Sequence, residues 1–216
     1  MRPLVVGANG QIGRQLINQL PLFGHQCTAM VRSSEQFQQL EEQGVAAICA
    51  SLDDTTEHLT EVIKGHDSVI FTAGSGAKTG AEQTLLIDLD GAVKVMQAAV
   101  VAGVEHFVMV SAIGANQRER WSEALKPYYV AKHYADRELI RSGLNYTIIR
   151  PGRLINGPAT GQVMIASEIC HEGTIARADV ASVICTVLGD KHFYAHDFDL
   201  LAGKDDIQQA LEGLLS

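Results

Sequence analysis

Three glycines, spaced G-x-x-G-x-x-G, stand where the first predicted strand of this chain gives way to its first predicted helix. The apolar run 3–6 predicts the strand, and apolar residues at helical spacing over 11–20 predict the helix. Glycines at such a junction allow a sharp turn, close approach of backbone to a pyrophosphate, and tight packing of helix on strand. The helix N-terminus adds free N–H groups and a partial positive charge. The segment predicts a dinucleotide-binding loop, with candidate contacts at Gly7, Asn9, Gly10, Gln11, Ile12 and Gly13.

Strand-like and helix-like segments alternate along the chain. The predicted strands are 3–6, 25–31, 45–50, 68–72, 106–111, 146–150 and 198–201. The predicted helices are 11–20, 35–43, a short helix capped by Asp53 or Asp54 and ending at 63, 82–102, 128–142, 179–188 and 205–215. Alternation of this kind indicates an α/β fold, a doubly wound parallel sheet of the Rossmann type that binds its ligand at the carboxyl ends of the strands.

The stretch 152–173 lacks a clear period and is rich in glycine. We therefore expect one NAD(P)-binding domain over 1–216, with a small substrate-covering region around 152–175. Leu154, Met164 and Ile165 are candidates for its apolar lining, and Trp121 is expected either to face the pocket or to pack.

The charge balance excludes several classes of partner. The 17 basic and 25 acidic residues give a net charge of −8 without a cluster of Lys or Arg, so neither nucleic acid nor an anionic membrane surface is expected as a partner. No apolar run approaches the roughly 18 residues of a membrane span, and Gly7 comes too early for a signal peptide. We expect a cytoplasmic protein, a monomer or weak homodimer, that acts on a small molecule.

The cysteines and histidines show no spacing typical of a metal site. Cys27, Cys49, Cys170 and Cys185 lie far apart, which predicts free and mostly buried thiols. Only two of the eight histidines, His192 and His196, are close in sequence, and they lie in a loop-like stretch. We therefore expect no metal.

The end of the second predicted strand indicates which dinucleotide binds. An acidic residue there usually accepts from the ribose 2′-hydroxyl of NAD, but this chain has Arg32 followed by Ser33. A guanidinium can bind a 2′-phosphate through two parallel hydrogen bonds, and Arg14 could add charge nearby. NADP(H) is therefore predicted in preference to NAD(H), the alternative for Arg32 being a solvated surface side chain. Small residues after the fourth strand would line the cofactor: Thr72, Ala73 and Gly74.

Tyr128 and Lys132 are four residues apart and so share one face of a predicted helix. A cation there favours the phenolate, which otherwise forms only near pH 10. The tyrosine can then exchange a proton with a carbonyl or alcohol while a hydride moves.

These motifs, in this order, resemble the short-chain dehydrogenase/reductase superfamily. The glycine spacing is similar to its extended and atypical branches, which include nucleotide-sugar epimerases, small flavin or biliverdin reductases, and regulators resembling the nitrogen-metabolite repressor. The resemblance implies that Ser111 holds the substrate oxygen beside Tyr128, and that Lys132 also bonds the nicotinamide ribose. It implies further cofactor contacts at Asp53 with Leu52 (the alternative for Asp53 being a helix cap) and at Pro151. The segment 175–181 resembles a late segment typical of small atypical members, the alternative being that it is only a helix start capped by Asp179.

The sequence departs from this family pattern at two places. Asp88 stands where the family usually has Asn, which puts the proton relay of that Asn in doubt. Only 64 residues follow Gly152, far fewer than the sugar-nucleotide cap of extended epimerases needs. The predicted function is an NADPH-dependent oxidoreductase acting on a small or planar carbonyl, quinone or flavin-like substrate. The alternatives are an NAD(P)-sensing binding protein with little turnover and a compact epimerase- or dehydratase-like isomerase.

Overall fold

The computed structural model describes residues 1–76 and 79–215. The strands are β1 (Pro3–Val6), β2 (Thr28–Val31), β3 (Ala47–Cys49), β4 (Ser68–Phe71), β5 (His106–Val110), β6 (Tyr146–Pro151), β7 (Arg153–Ile155), β8 (Gln162–Ala166), β9 (Thr174–Ala176), β10 (His196–Ala202) and β11 (Asp205–Asp206). The α-helices are α1 (Gln11–Gln19), α2 (Ser34–Glu42), α3 (Thr56–Ile63), α4 (Ala81–Gln83), α5 (Ala92–Ala102), α6 (Lys126–Arg141), α7 (Arg177–Val187) and α8 (Ile207–Leu214). A π-helical segment, Thr84–Gly91, joins α4 to α5.

Within the described residues the main sheet has the strand order β11-β8-β10-β6-β5-β4-β1-β2-β3. The seven strands from β10 to β3 run parallel, whereas β8 is antiparallel to β10 and β11 is antiparallel to β8. The chain winds outward from β1 to β3 and then returns to the other side of β1 with β4. Ligands bind beyond the carboxyl ends of the strands at such a switch point. The predicted Rossmann-type fold is confirmed.

The two faces of the sheet are covered by different helices. Val5 and Ile70 belong to one buried apolar cluster with residues of α1 and α7. Leu4 and Phe71 belong to the other, with residues of α3, α5 and α6. Because side chains alternate along a strand, neighbouring residues of β1 and β4 are buried on opposite faces. Helices on both sides therefore fix the carboxyl ends of the central strands.

The stretch 152–173 is more regular than its sequence indicates. It contains β7 and β8, and β7 pairs in parallel with β9 in a separate small sheet. The expected lining role of Met164 and Ile165 is wrong, because both belong to β8, where Met164 is exposed and Ile165 packs against the core. Strand β8 is stabilised by its ladder to β10, a long-range partner that local periodicity does not reveal.

Two expected helix caps are also wrong. Thr55, rather than Asp53 or Asp54, accepts from the backbone N–H of His58 at the start of α3. Asp179 lies inside the first turn of α7, and its carboxylate accepts from the backbone N–H groups of Thr160 and Gly161, each at 2.9 Å. Asp179 therefore fixes the turn before β8 rather than capping its own helix.

The four cysteines are free thiols, as predicted, but their burial differs from the prediction. Cys185 is buried and Cys27 half-buried, whereas Cys49 and Cys170 are exposed. The expectation of mostly buried thiols is wrong for the last two, which lie near the end of the edge strand β3 and in the loop after β8.

Trp121 has a packing role. Its indole N–H donates to the carbonyl of Gly114 at 3.0 Å, and its ring stacks on Tyr129 with 6.1 Å between ring centres. Among the helices described, none is both long and apolar enough to cross a membrane.

Candidate functional site

Two of the loop glycines are required by close backbone packing. Gly7 has φ +84°, and a Cβ atom there would lie 2.6 Å from the backbone nitrogen of Ala73. A Cβ atom on Gly13 would lie 2.4 Å from the carbonyl oxygen of Gly7. Glycine thus lets the turn after β1 touch the segment after β4, and lets α1 pack onto the turn.

Gly10 has a different role, because it faces open space at the start of α1. A Cβ atom there would contact only the carbonyl oxygen of Gly7, at 3.0 Å. As N-cap residue it offers no side-chain cap, so the first N–H groups of α1 remain available to an anion. Asn9 supports the loop from outside by accepting from the guanidinium of Arg14 at 2.7 and 3.2 Å. The loop therefore fits a pyrophosphate.

A cavity of about 630 Å³ runs from this helix terminus along the carboxyl ends of β4 and β5 to α6. It is lined by the loop residues Gly10, Gln11 and Ile12, by Thr72, Ala73 and Gly74 after β4, and by Ser111, Tyr128 and Lys132. Thr72 is held in place by its hydroxyl, which donates to the carbonyl of Val6 at 3.0 Å. One cavity thus brings together the predicted phosphate loop and the predicted catalytic trio.

Lys132 is buried, and contacts with neighbouring residues fix the position of its amino group. Its Nζ lies 3.1 Å from Oδ1 of Asp88, donates to the carbonyl of Val110 at 3.3 Å, and lies 5.8 Å from the ring centre of Tyr128. The helical spacing of Tyr128 and Lys132 does place both at the cavity. The hydroxyl of Ser111 is buried there; it makes no hydrogen bond of normal geometry with the described residues, but it interacts with the buried carboxylate of Asp136.

Asp88 is a site residue that the sequence indicated only as a departure from the family pattern. It lies on the π-helical segment and is 1% exposed. One carboxylate oxygen pairs with Lys132, and the other accepts from the backbone N–H of Ser75 at 2.9 Å. Wide π turns often occur at functional sites. Asp88 therefore connects the lysine of α6 to the segment that lines the cavity after β4.

The side chain of Tyr128 is a neutral phenol rather than a phenolate. Burial raises its pKa above the usual value of 10.0; Lys132 lowers that pKa, but Asp88 raises it again. The expectation that Lys132 favours the phenolate is correct in sign but is outweighed by burial. Burial alone would lower the pKa of Lys132, whereas the carboxylate of Asp88 raises it and the net shift is upward, so the lysine keeps its charge.

Some predicted cofactor residues lie outside this cavity. Arg32 and Ser33 follow β2, and Leu52 and Asp53 follow β3, on the side of β1 away from β4. Arg32 is exposed, and the Ser33 hydroxyl accepts from the backbone N–H of Gln36 as the N-cap of α2. Asp53 accepts from the Ser51 hydroxyl at 3.2 Å. These residues therefore lie on the other side of β1 from the strands that line the cavity.

A second cavity, of about 750 Å³, adjoins the first. The two share Ser111, Leu125, Tyr128, Leu154 and Arg177 as lining residues. Pro151, predicted at the cofactor, lines the second cavity only. Sequence reasoning missed Arg177, although the segment 175–181 that contains it was the available signal. Ser111 and Tyr128, two members of the predicted catalytic trio, therefore lie at the junction of the two cavities.

Comparison with known proteins gives consistent matches. The family of NAD(P)H-binding proteins matches residues 7–191. The uncharacterized sugar epimerase YhfK of Bacillus subtilis (strain 168) is 49% identical over 218 residues, which cover 99% of this chain and 100% of that protein.

Two solved structures are also similar over nearly their full lengths. A Bacillus halodurans protein described as an NAD-dependent epimerase/dehydratase has a TM-score of 0.93 at 40% identity, covering 99% of this chain and 100% of that one. The oxidoreductase ylbE from Lactococcus lactis has a TM-score of 0.89 at 37% identity, covering 100% and 97%. The names of these relatives indicate different reactions, so the choice between an epimerase and an oxidoreductase depends on the geometry of the site.

Proposed function

The chain belongs to the NAD(P)H-binding family, within the atypical short-chain dehydrogenase/reductase superfamily, and from that membership we propose an NADPH-dependent oxidoreductase. Its substrate is a small or planar carbonyl, quinone or flavin-like molecule. The observation that carries the proposal is the single cavity with the open N-terminus of α1 at one end and Ser111, Tyr128 and Lys132 at the other. A nicotinamide dinucleotide needs both a phosphate cradle and polar groups at its reacting ring.

The three polar side chains divide the chemistry between them. When bound, the nicotinamide supplies a hydride. The Ser111 hydroxyl donates to the substrate oxygen, and the neutral phenol of Tyr128 gives that oxygen its proton. The charge of Lys132 stabilises the phenolate that remains, while Asp88 holds the lysine in place. A phenol kept protonated by burial suits reduction of a carbonyl better than oxidation of an alcohol.

A preference for NADPH is supported by the end of β2. Arg32 has no ion-pair partner among residues 1–76 and 79–215, and it lies beside the N-terminus of α2. The Ser33 oxygen accepts a cap hydrogen bond but its hydroxyl proton can still be donated. These donors suit a 2′-phosphate, and Arg32 replaces the carboxylate that a free 2′-hydroxyl would need.

A sugar epimerase is the second candidate, favoured by the name of the Bacillus subtilis relative. The region after Gly152 gives little support to an epimerase. Strands β8, β10 and β11 extend the main sheet, so only the part around β7 and β9 adjoins the second cavity. We propose that one domain carries the whole reaction, with this part as its covering region and a substrate smaller than a sugar nucleotide.

The test is a panel of aldehydes, quinones and flavins, with oxidation of NADPH followed by absorbance. Tyr128→Phe removes one hydroxyl, and we expect turnover to fall by roughly 10²–10⁴ while NADPH affinity stays unchanged. Tyr134→Phe, an exposed tyrosine of the same helix, is the matched control. Turnover that survives Tyr128→Phe rejects this proton donor. NADPH binding without oxidation by any member of the panel favours the sensor instead.

A further inference from the structure

The second cavity has a positive rim in an otherwise acidic protein. The chain has a net charge of −8, yet the charged side chains that line this cavity are Arg153, Arg177 and Glu172. Two guanidinium groups against one carboxylate give the rim a net positive charge. The net charge of the rim is opposite in sign to that of the whole molecule, which indicates that a positive charge is required at this place.

Neither arginine is neutralised by an acidic partner within the part of the chain that the structure describes. Arg153 is exposed on β7, where it pairs in register with Thr174 of β9. Arg177 is half-buried at the start of α7, and its Nη1 donates to the side-chain oxygen of Asn156 at 2.9 Å. That neutral contact orients the guanidinium and leaves its other N–H donors available.

The position of Arg177 connects this rim to the catalytic trio. Arg177 lines both cavities, as do Ser111 and Tyr128. Ser111 is 3% exposed, and its hydroxyl makes no hydrogen bond of normal geometry with the described residues, although it interacts with the Asp136 carboxylate. A substrate whose oxygen meets Ser111 and Tyr128 would therefore extend its remaining part towards the arginines.

We propose that Arg153 and Arg177 form an anion subsite, so that the substrate carries a carboxylate or another oxyanion besides its reducible group. The identification of this space as the substrate pocket rests on the proposed function. A guanidinium binds a carboxylate, sulfonate or phosphate through paired hydrogen bonds. Glu172 limits the excess charge, which favours a singly charged group.

The experiment measures binding by calorimetry on the full chain saturated with NADP⁺. Three matched probe pairs differ in the anionic group: 4-carboxybenzaldehyde and methyl 4-formylbenzoate, 1,2-naphthoquinone-4-sulfonate and 1,2-naphthoquinone, and FMN and riboflavin. In at least one pair we expect the anionic member to bind about tenfold or more tightly, the effect of one charge-assisted contact. Arg153→Gln and Arg177→Gln should each weaken that member about tenfold and leave its neutral partner within about twofold. Arg141→Gln, an exposed arginine at the end of α6, should change neither.

The outcomes separate this proposal from the proposed function. Equal binding within every pair, or no binding of any anionic probe, overturns the subsite. Loss of NADPH affinity in Arg177→Gln would show that Arg177 binds the cofactor, which also overturns it. Discrimination that depends on the arginines but comes without any NADPH oxidation supports the subsite and rejects the oxidoreductase. If turnover depends neither on the charge of the probe nor on either substitution, the anion subsite is rejected and the proposed oxidoreductase activity is retained.

Discussion

Arg32 takes the place of the acidic residue that would bind the ribose of NADH. Its removal should therefore affect one cofactor more than the other. We expect Arg32→Ala to weaken NADPH roughly ten- to a hundredfold and NADH little, because a charge-assisted contact contributes about 1.5–3 kcal/mol. Titration calorimetry with both cofactors measures this, and Arg141→Ala is the control. Equal affinity of the unaltered protein for NADPH and NADH would contradict the assignment.

Asp88 determines how strongly Lys132 acts on Tyr128. Asp88 raises the pKa of Tyr128 whereas Lys132 lowers it, so Asp88→Asn should lower that pKa. The amide has one acceptor oxygen, so it keeps the contact with either Lys132 or the N–H of Ser75 and places its NH2 group against the other, which should lower the stability without changing the fold. Because the donor must be protonated, we expect the alkaline limb of the pH–rate profile to move to lower pH. An alkaline limb that stays in place or moves upward would show that the Asp88–Lys132 pair does not influence the proton donor.

In the loop between β1 and α1, one glycine is needed for cofactor binding and another for the stability of the fold. Gly10 faces the cavity, whereas a Cβ atom on Gly13 would meet backbone atoms of Gly7 and Ala8 at 2.4–2.7 Å. We expect Gly10→Val to abolish NADPH binding in a chain with unchanged circular dichroism. Gly13→Val should instead destabilise the fold, as a lower melting temperature would show. If Gly10→Val still bound NADPH with normal affinity, the dinucleotide would have to bind elsewhere.

The sequence predicted most central elements because their signals are local. Short apolar runs mark β1, β4 and β5, and α6 begins two residues earlier than predicted because Pro127 suits the first turn of a helix. Strands β7, β8 and β9 were missed since their pairing partners, not their own residues, stabilise them.

Part of the candidate site could likewise be predicted from the sequence, and part could not. The glycine loop and the Tyr128–Lys132 pair could be predicted, because each depends on spacing within one segment. The contact of Asp88 with Lys132 could not, because it requires the π-helical segment and α6 to pack together. Arg153 and Arg177 meet at the second cavity only after β7 and β9 have paired. Site residues that lie within one element can therefore be predicted from the sequence, whereas contacts between residues of different elements cannot.

The stability of the whole molecule should depend on a histidine buried far from the site. His106 Nδ1 accepts from the backbone N–H of Gly189 at 3.1 Å, so its proton lies on Nε2, which is 2.9 Å from the Thr147 hydroxyl. Burial lowers the pKa of His106 from 6.5 to about 4. Between these values the unfolded chain binds more protons than the native one, so the free energy of unfolding falls as the pH falls. The full loss is roughly 3 kcal/mol and is complete only below the native pKa.

Urea unfolding at a series of pH values between 7 and 4 measures this dependence. His106→Gln should flatten the dependence, because glutamine has no titration in this range, even if the variant is less stable throughout. Parallel curves for the unaltered protein and His106→Gln would contradict the assignment of His106 as the titrating group.

The fold and the family fix the cofactor class, but a Rossmann-type domain hosts many reactions. The central claim is net transfer of a hydride from NADPH to a substrate, with Tyr128 as proton donor. The most direct measurement uses NADPH deuterated at C4 of the nicotinamide, prepared in both stereochemical forms, with product analysis by mass spectrometry. With a carbonyl substrate, one form should place one deuterium on the carbon of the product for each NADPH consumed, and Tyr128→Phe should slow this without changing the labelled position. A product that forms without deuterium while NADPH is not consumed would contradict the oxidoreductase and indicate an isomerase.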